Sequence, residues 1–340
     1  MPKHGETIRI FSLDEADEYE AQFDPLLTDR RARRQRKPVA RYTYYKRHAD
    51  VVAELADASG LESGFQPTYT PSEHEAGWLV SSLGGFYDQH YITDILRRVR
   101  GGKEATVYCC AAHAVTGAKL LAAKVYRPRM FRALRNDAQY RQGREILTET
   151  GRPVNKSETR LMRAINKKTA LGVQITQTSW LMHEYATIQR LYELGGAAPR
   201  PYACSENAIL MSYVGDERMA APTLNAVTLG RAEAERLWNE ALRNVELLLK
   251  LGVVHGDLSA YNLLYWQGKI TLIDFPQVTA IAANRRARQV LRRDLERLAE
   301  YFAAQGVERD PAPLLDAFWA RYGVEIPLDP LAEGEEEMEI

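Results

Sequence analysis

Three polar residues stand inside apolar, strand-like sequence: Asp257, Asn262 and Asp274. The first two belong to Val253-Val254-His255-Gly256-Asp257-Leu258-Ser259-Ala260-Tyr261-Asn262-Leu263-Leu264, and Asp274 closes Ile270-Thr271-Leu272-Ile273-Asp274-Phe275. The spacings are five and twelve residues. Asp and Asn are common in turns, but turn chemistry asks for neither hydrophobic flanks nor a second aspartate at a strand end. Phosphoryl transfer from a nucleotide asks for both. One carboxylate orients or deprotonates the acceptor hydroxyl. A second carboxylate and a carboxamide oxygen hold Mg²⁺, a hard ion that takes oxygen ligands and bridges phosphates.

The Asp-x4-Asn spacing matches the catalytic-loop pattern of kinases. The run HGDLSAYNLL followed by IDFPQ resembles the RIO family of atypical serine/threonine protein kinases, whose metal motif ends in Pro where ordinary kinases carry Gly. Gly102-Lys103-Glu104-Ala105-Thr106-Val107-Tyr108 is similar to that family's phosphate loop. Ala123-Lys124-Val125-Tyr126, the segment Trp180–Leu191 and Leu291-Arg292-Arg293-Asp294-Leu295 follow in family order, over roughly residues 75–320. The resemblance implies an α+β, minimal bilobal kinase fold with an antiparallel-sheet N-lobe and a mainly helical C-lobe. It implies ATP and Mg²⁺, with Mn²⁺ as the alternative ion. Asp257 would be the catalytic base, and Asn262 and Asp274 the metal ligands. Lys124 would meet the α/β phosphates and pair with Glu184. Gly102 and Lys103 would cover the phosphates. Met211 would be the gatekeeper, Ser212-Tyr213-Val214 the adenine-reading hinge, and Glu217 a ribose contact. His255 and Asp294 would brace the catalytic loop. One departure stands out. Arg100-Gly101 occupies positions where the family places hydroxyl residues. Arg100 either adds charge to the phosphates or points out of the site.

These side chains need elements to hold them. Thr106–Cys110 and Leu120–Tyr126, joined through Thr116-Gly117, read as an antiparallel hairpin. Ser72 with Glu75 reads as a capping box for a helix carrying Trp78, Leu79, Ser82 and Leu83 up to Gly84-Gly85. Ile92, Ile95, Leu96 and Val99 continue at helix-like spacing. Helices are expected over 180–194, 231–251, 286–304 and 312–321, and strands over 208–214, 263–266 and 270–273. Glu184 shares its helix face with Leu181 and Ile188, which points it inward. Ala122, Met211, Leu263 and Ile273 would enclose the adenine. Cys109-Cys110 reads as strand packing, because adjacent strand residues face opposite sides.

The 340 residues carry 45 Lys plus Arg and 45 Asp plus Glu, and three cysteines. So few cysteines exclude a disulfide-stapled secreted scaffold. No run of about 18 apolar residues and no leader-like N-terminus is present, so cytoplasmic localisation without a membrane partner is expected. The charge tie resolves into blocks. Residues 1–27 hold seven acids, 28–47 nine Lys/Arg with Tyr42, Tyr44 and Tyr45, and 127–168 twelve Lys/Arg against four acids. The first two blocks read as a solvated tail. The divisions expected are a charged tail at 1–48, a helical extension at 49–85, an N-lobe with hinge at 86–214, a C-lobe at 215–330 and an acidic tail at 331–340. The acceptor would be a protein hydroxyl, the chain itself, or water. Two alternatives are a small-molecule kinase of the aminoglycoside or choline type, and an ATP-switched ribosome-assembly factor. The latter would grip rRNA or a ribosomal particle through 28–47 and 127–168, since basic residues interleaved with aromatics suit RNA.

Overall fold

The computed structural model describes residues 65, 67–102, 105–126, 146–147, 154, 159–167 and 169–324. The chain divides into two units, 1–48 and 49–340, and every described residue belongs to the second. The expected charged and acidic tails, the first part of the helical extension expected at 49–85, Lys103 and most of residues 127–168 lie outside the described residues.

Five antiparallel strands form the first layer: β1 (Ile92–Gly101), β2 (Ala105–Ala112), β3 (Leu120–Tyr126), β4 (Pro201–Cys204) and β5 (Ala208–Ser212). Their spatial order is β1-β2-β3-β5-β4. The β2–β3 hairpin turns through a 3-10 segment, Ala114–Thr116, that ends on Gly117 at φ 69°. That left-handed φ favours glycine, so the Thr116-Gly117 signal marks the turn.

Period-2 alternation gives the sheet two different faces. Leu121, Ala123 and Val125 of β3 join Tyr108, Cys110 and Leu210 on the outer face, under helix α1 (Glu73–Asp88). Ala122 and Tyr126 join Ile209, Met211 and Leu181 on the inner face, which looks to the cleft and to a long helix. Cys109 and Cys110 are thus packing residues on opposite faces, and burial raises both thiol pKa values.

Helix α1 runs through Gly84-Gly85 to Asp88. Two glycines cost about 1 kcal/mol each, but Leu79, Leu83 and Phe86 are buried with Ile92 and Ile95, and each such side chain contributes about 1.5–3 kcal/mol. Packing wins, and α1 is part of the N-lobe core. Ser72 sits at the N-cap but makes no side-chain capping bond. Its expected partner, Glu75, is engaged elsewhere: the carboxylate accepts from the hydroxyls of Tyr108 and Tyr69. Residues 92–101 form a strand despite their helix-like spacing. Three register shifts between β1 and β2 account for the pattern, since each bulge adds a residue and moves the apolar positions off strict alternation.

Helix α2 (Thr159–Asn166) leads to α3 (Ala170–Glu193), which starts ten residues ahead of the expected helix and is capped by Thr169. Beyond the hinge come α4 (Arg231–Lys250), α5 (Ala287–Ala304) and α6 (Pro311–Tyr322). Leu237, Ala241, Val245 and Leu248 of α4 share a buried core with Leu291, Leu295 and Phe302 of α5. Two small ladders rest on this core. β6 (Val253–Val254) pairs with β9 (Thr279–Ala280), and β7 (Leu263–Trp266) pairs with β8 (Lys269–Leu272). Both chemistry-bearing motifs lie at the ends of these ladders.

Candidate active site

Lys124 lies between two carboxylates. Its Nζ is 2.7 Å from Glu184 Oε1 and 2.6 Å from Asp274 Oδ1. Strand β3 presents Lys124 on the inner face, and α3 presents Glu184 one turn from Leu181 and Ile188, both buried. Glu184 is 1% exposed. Its second oxygen accepts from the Tyr126 hydroxyl, and its first also faces the Phe275 N–H at 3.4 Å. Burial alone would lower the Lys124 pKa, but Asp274 and Glu184 outweigh it and hold the ammonium well above its ordinary value. The same cation holds Asp274 below the usual carboxylate range, against burial, and the field of Arg100 acts in the same direction. Asp274 has φ 69°, a left-handed conformation uncommon outside glycine and typical of strained functional positions.

Asp257 and Asn262 face each other across the loop between β6 and β7. Asn262 Nδ2 donates to the Asp257 carbonyl at 2.8 Å and to its Oδ2 at 3.1 Å. The Ile273 N–H donates to the Asn262 carbonyl at 3.0 Å, which ties this loop to the residue before Asp274. Gly256 has φ 89°, and a Cβ there would stand 2.2 Å from the Gln277 carbonyl oxygen. Only glycine lets the loop pass so close to the Phe275–Gln277 segment.

Helix α5 braces the loop from below. Asp294 accepts the N–H groups of Gly256 (2.8 Å) and Leu258 (3.0 Å). Burial nevertheless drives its pKa up to about 7. His255 accepts the Asp257 N–H on Nδ1 at 3.3 Å and lies against the Phe275 ring. Burial drives its pKa down to about 4, so it is a neutral brace at ordinary pH. Arg293 donates to the Gly256 carbonyl at 2.6 Å, and Arg297 to Asp257 Oδ1 at 2.6 Å.

On the hinge side, Ala122 and Met211 are direct partners across β3 and β5. Ser212 donates its N–H to the Arg200 carbonyl, and the Val214 carbonyl accepts from Ala221. Arg97 of β1 reaches the hinge, donating to the Tyr213 hydroxyl (3.0 Å) and to the carbonyls of Glu217 (3.0 Å) and Asp216 (3.3 Å). The Glu217 carboxylate lies 3.6 Å from Lys119, on the rim of a cavity of about 570 Å³ beside the hinge. That cavity contains none of Lys124, Asp257, Asn262 or Asp274, so it flanks the site. Gly102 donates its N–H to the Ala105 carbonyl and closes the β1–β2 turn.

The structure therefore brings Lys124, Glu184 and Asp274 into one cluster and Asp257 and Asn262 into another, with the clusters linked through Ile273. Sequence reasoning missed Tyr126, Arg97 and Arg297. Arg297 carried a usable signal: it lies one helical turn after Asp294, on the face that braces the loop.

A model of the RIO domain matches residues 140–313, just over half of the chain. The chain belongs to the RIO family. RIO relatives include the RIO-type serine/threonine-protein kinase Rio1 of Haloferax volcanii, 33% identical over 133 residues, which cover 39% of this chain and 44% of that protein. The serine/threonine-protein kinase RIO1 of Chaetomium thermophilum is 27% identical over 232 residues, covering 65% and 41%. The matched segments thus span less than half of either relative. The crystal structure of the Rio2 kinase-ADP/Mg2+-phosphoaspartate complex from Chaetomium thermophilum superposes with a TM-score of 0.51 at 20% identity, over 82% of this chain and 76% of that one. The RIO kinase fold is shared. Among the described residues, no helix is long and apolar enough to cross a membrane.

Proposed function

We propose that this chain is an ATP- and Mg²⁺-dependent phosphotransferase of the RIO serine/threonine kinase type. It would pass the γ-phosphoryl group to a protein hydroxyl, to itself, or to water. The observation that carries the reading is Lys124, clamped between Glu184 and Asp274 in a chain whose Asp257 and Asn262 are tied to the same segment.

The donor set suits a hard divalent cation. Among the described residues, Asn262 spends its amide nitrogen on Asp257 and has its oxygen left, and Asp274 spends Oδ1 on Lys124 and has Oδ2 left. Asn262 and Asp274 would hold Mg²⁺, which would supply charge neutralisation for the phosphates. Lys124, fully charged, holds the α/β phosphates once the nucleotide competes for it. Glu184 keeps it aimed. Asp257 receives the acceptor hydroxyl by a hydrogen bond and aligns it. Ala122 and Met211 roof the adenine, Leu263 and Ile273 floor it, and the hinge 212–214 reads its edge. By the family motif Gly102 and Lys103 would cover the phosphates, and Glu217, beside Lys119, would serve the hinge side. The rate would come mainly from positioning and electrostatics.

Incubation with labelled ATP and Mg²⁺ tests the reading, with free phosphate, self-labelling and labelling of added protein measured together. Turnover is expected in the native protein and its loss in Asp274→Ala. Retained turnover in that variant would sink the metal assignment. Docking on RNA through 28–47 and 127–168 is a separate matter, read from recovery of rRNA at low against high salt.

A further inference from the structure

We propose that Arg297 is the positioning residue of the transfer centre, fixing the Asp257 carboxylate from helix α5. The proposal rests on reading Asp257 as the carboxylate that faces the acceptor. No motif assigns Arg297 a part. Its placement is direct: its NH1 lies 2.6 Å from Asp257 Oδ1, and the two side chains are 39% and 37% exposed, so the pair borders the open cleft.

The physical need is clear from the loop itself. Residues 253–264 contain no Lys or Arg, so the catalytic loop brings no cation to its own aspartate. An Asp carboxylate turns about its last torsion with little resistance. A single restraint from within the loop is Asn262 Nδ2 on Oδ2, at 3.1 Å. That amide belongs to a residue that also serves the metal, so Asp257 would otherwise depend on the metal ligand for its orientation. Arg297 adds a short charge-assisted bond on the other oxygen, from an element outside the loop. With both oxygens held, the carboxylate plane is set, and a remaining lone pair meets the acceptor. Helix α5 is itself keyed to the loop at the residues immediately either side of Asp257: Arg293 holds the Gly256 carbonyl, and Asp294 holds the amides of Gly256 and Leu258. The guanidinium therefore arrives in a fixed frame.

Positioning predicts a loss in turnover and not in nucleotide binding. Misalignment of this kind costs on the order of 10²-fold in rate. Single-turnover ATP consumption by Arg297→Met should fall about 10- to 100-fold, with ATP affinity within about twofold of native and an unchanged melting temperature. Arg297→Lys should recover part of the rate, because it restores the charge without the planar fork. The decisive arm is a double-mutant cycle with Asp257→Ala. If Arg297 acts through Asp257, Arg297→Met costs nothing further in that background. A native rate for Arg297→Met, or the same fold loss with and without Asp257, overturns the proposal. A native protein that binds and turns over no nucleotide is a different result, which removes the phosphotransferase reading itself and the proposal with it.

Discussion

Lys124 joins stability to the chemistry proposed for it. Glu184 is buried and Asp274 is 44% exposed, so the two ion pairs are not equivalent. Removing the cation strands Glu184 in the interior, and breaking a buried pair from one side costs about 3–5 kcal/mol. Lys124→Met should therefore lose about 3 kcal/mol in urea denaturation, while Asp274→Asn, whose partner is retained by Glu184, should lose under about 1 kcal/mol. Both should lose ATP turnover. Equal destabilisation would mean that Glu184 is not the anchoring partner. Asp294 carries a pH signature. Its pKa is raised to about 7 by burial in the fold, against about 3.9 in an unfolded chain. Between those values the folded chain holds a proton that the unfolded chain has released. Its contribution is therefore full below about pH 4 and declines as pH rises toward 7, by up to about 1.4 kcal/mol per unit. Asp294→Asn does not titrate. It sets an amide group against one of two backbone N–H donors, at a cost of about 1–3 kcal/mol at low pH. The deficit of Asp294→Asn against native should shrink between about pH 4 and pH 7, and a constant deficit in paired urea melts would rule out the raised pKa.

Strand β1 shows what an element adds. Direct partners across an antiparallel sheet share a face. Arg100 pairs with Val107, which pairs with Lys124, so Arg100 and Lys124 lie on the inner face, two strands apart. Arg98 pairs with Tyr108, a residue of the outer core. The bulge between Arg98 and Arg100 is what separates them, since strict alternation would put both on one side. Among the described residues Arg100 has no ion-pair partner, and it is exposed. Of the two placements open from sequence, the register takes the one that adds charge to the cleft. Arg100→Ser should weaken ATP binding about tenfold and leave adenosine unchanged, whereas Arg98→Ser should change neither. Titration calorimetry with both ligands decides it, and an equal effect on ATP and adenosine would refute the placement. The same strand marks the limit of what sequence carries. The clustering of Asp257, Asn262, Asp274, Lys124 and Glu184 was legible because apolar flanks force polar residues to a strand end or a helix's inner face. The hairpin was legible from its turn residues and strand runs, and helices α4 to α6 from their period. The bulges of β1 were not, because an inserted residue imitates helical spacing. The capping box failed because Glu75 found a buried tyrosine, a tertiary partner invisible to a four-residue motif. Arg97 and Arg297 act over 120 and 40 residues of separation, beyond any local pattern.

At the scale of the folded unit, two hydrophobic cores are separate: one under the sheet with α1, one around α4 and α5. Helix α3 spans the gap between them, with Leu181 in the apolar cluster on the inner face of the sheet and Ile188 and Leu191 in the α4/α5 core, and the remaining links are polar and small. The hinge connects them covalently, the Lys124–Asp274 pair spans the cleft, and Arg97 reaches from β1 to the segment just after the hinge. That segment is a short turn of its own, with the Asp216 N–H on the Met219 carbonyl and the Ala221 N–H on the Val214 carbonyl. Arg97 holds the carbonyls of Asp216 and Glu217 and covers the Tyr213 ring at 5.7 Å. Neither core contains Arg97, so its loss should leave global stability within about 1.5 kcal/mol of native. The local balance is different, because turns with few buried contacts open at a small fraction of the global free energy. Hydrogen exchange on Arg97→Ala should therefore be faster by about tenfold at the amides of Asp216 and Ala221, with β2, β3 and α4 keeping their protection. A uniform rise across both cores would mean that Arg97 supports the whole unit. A local rise would make it the strut that sets the distance between the roof and the hinge.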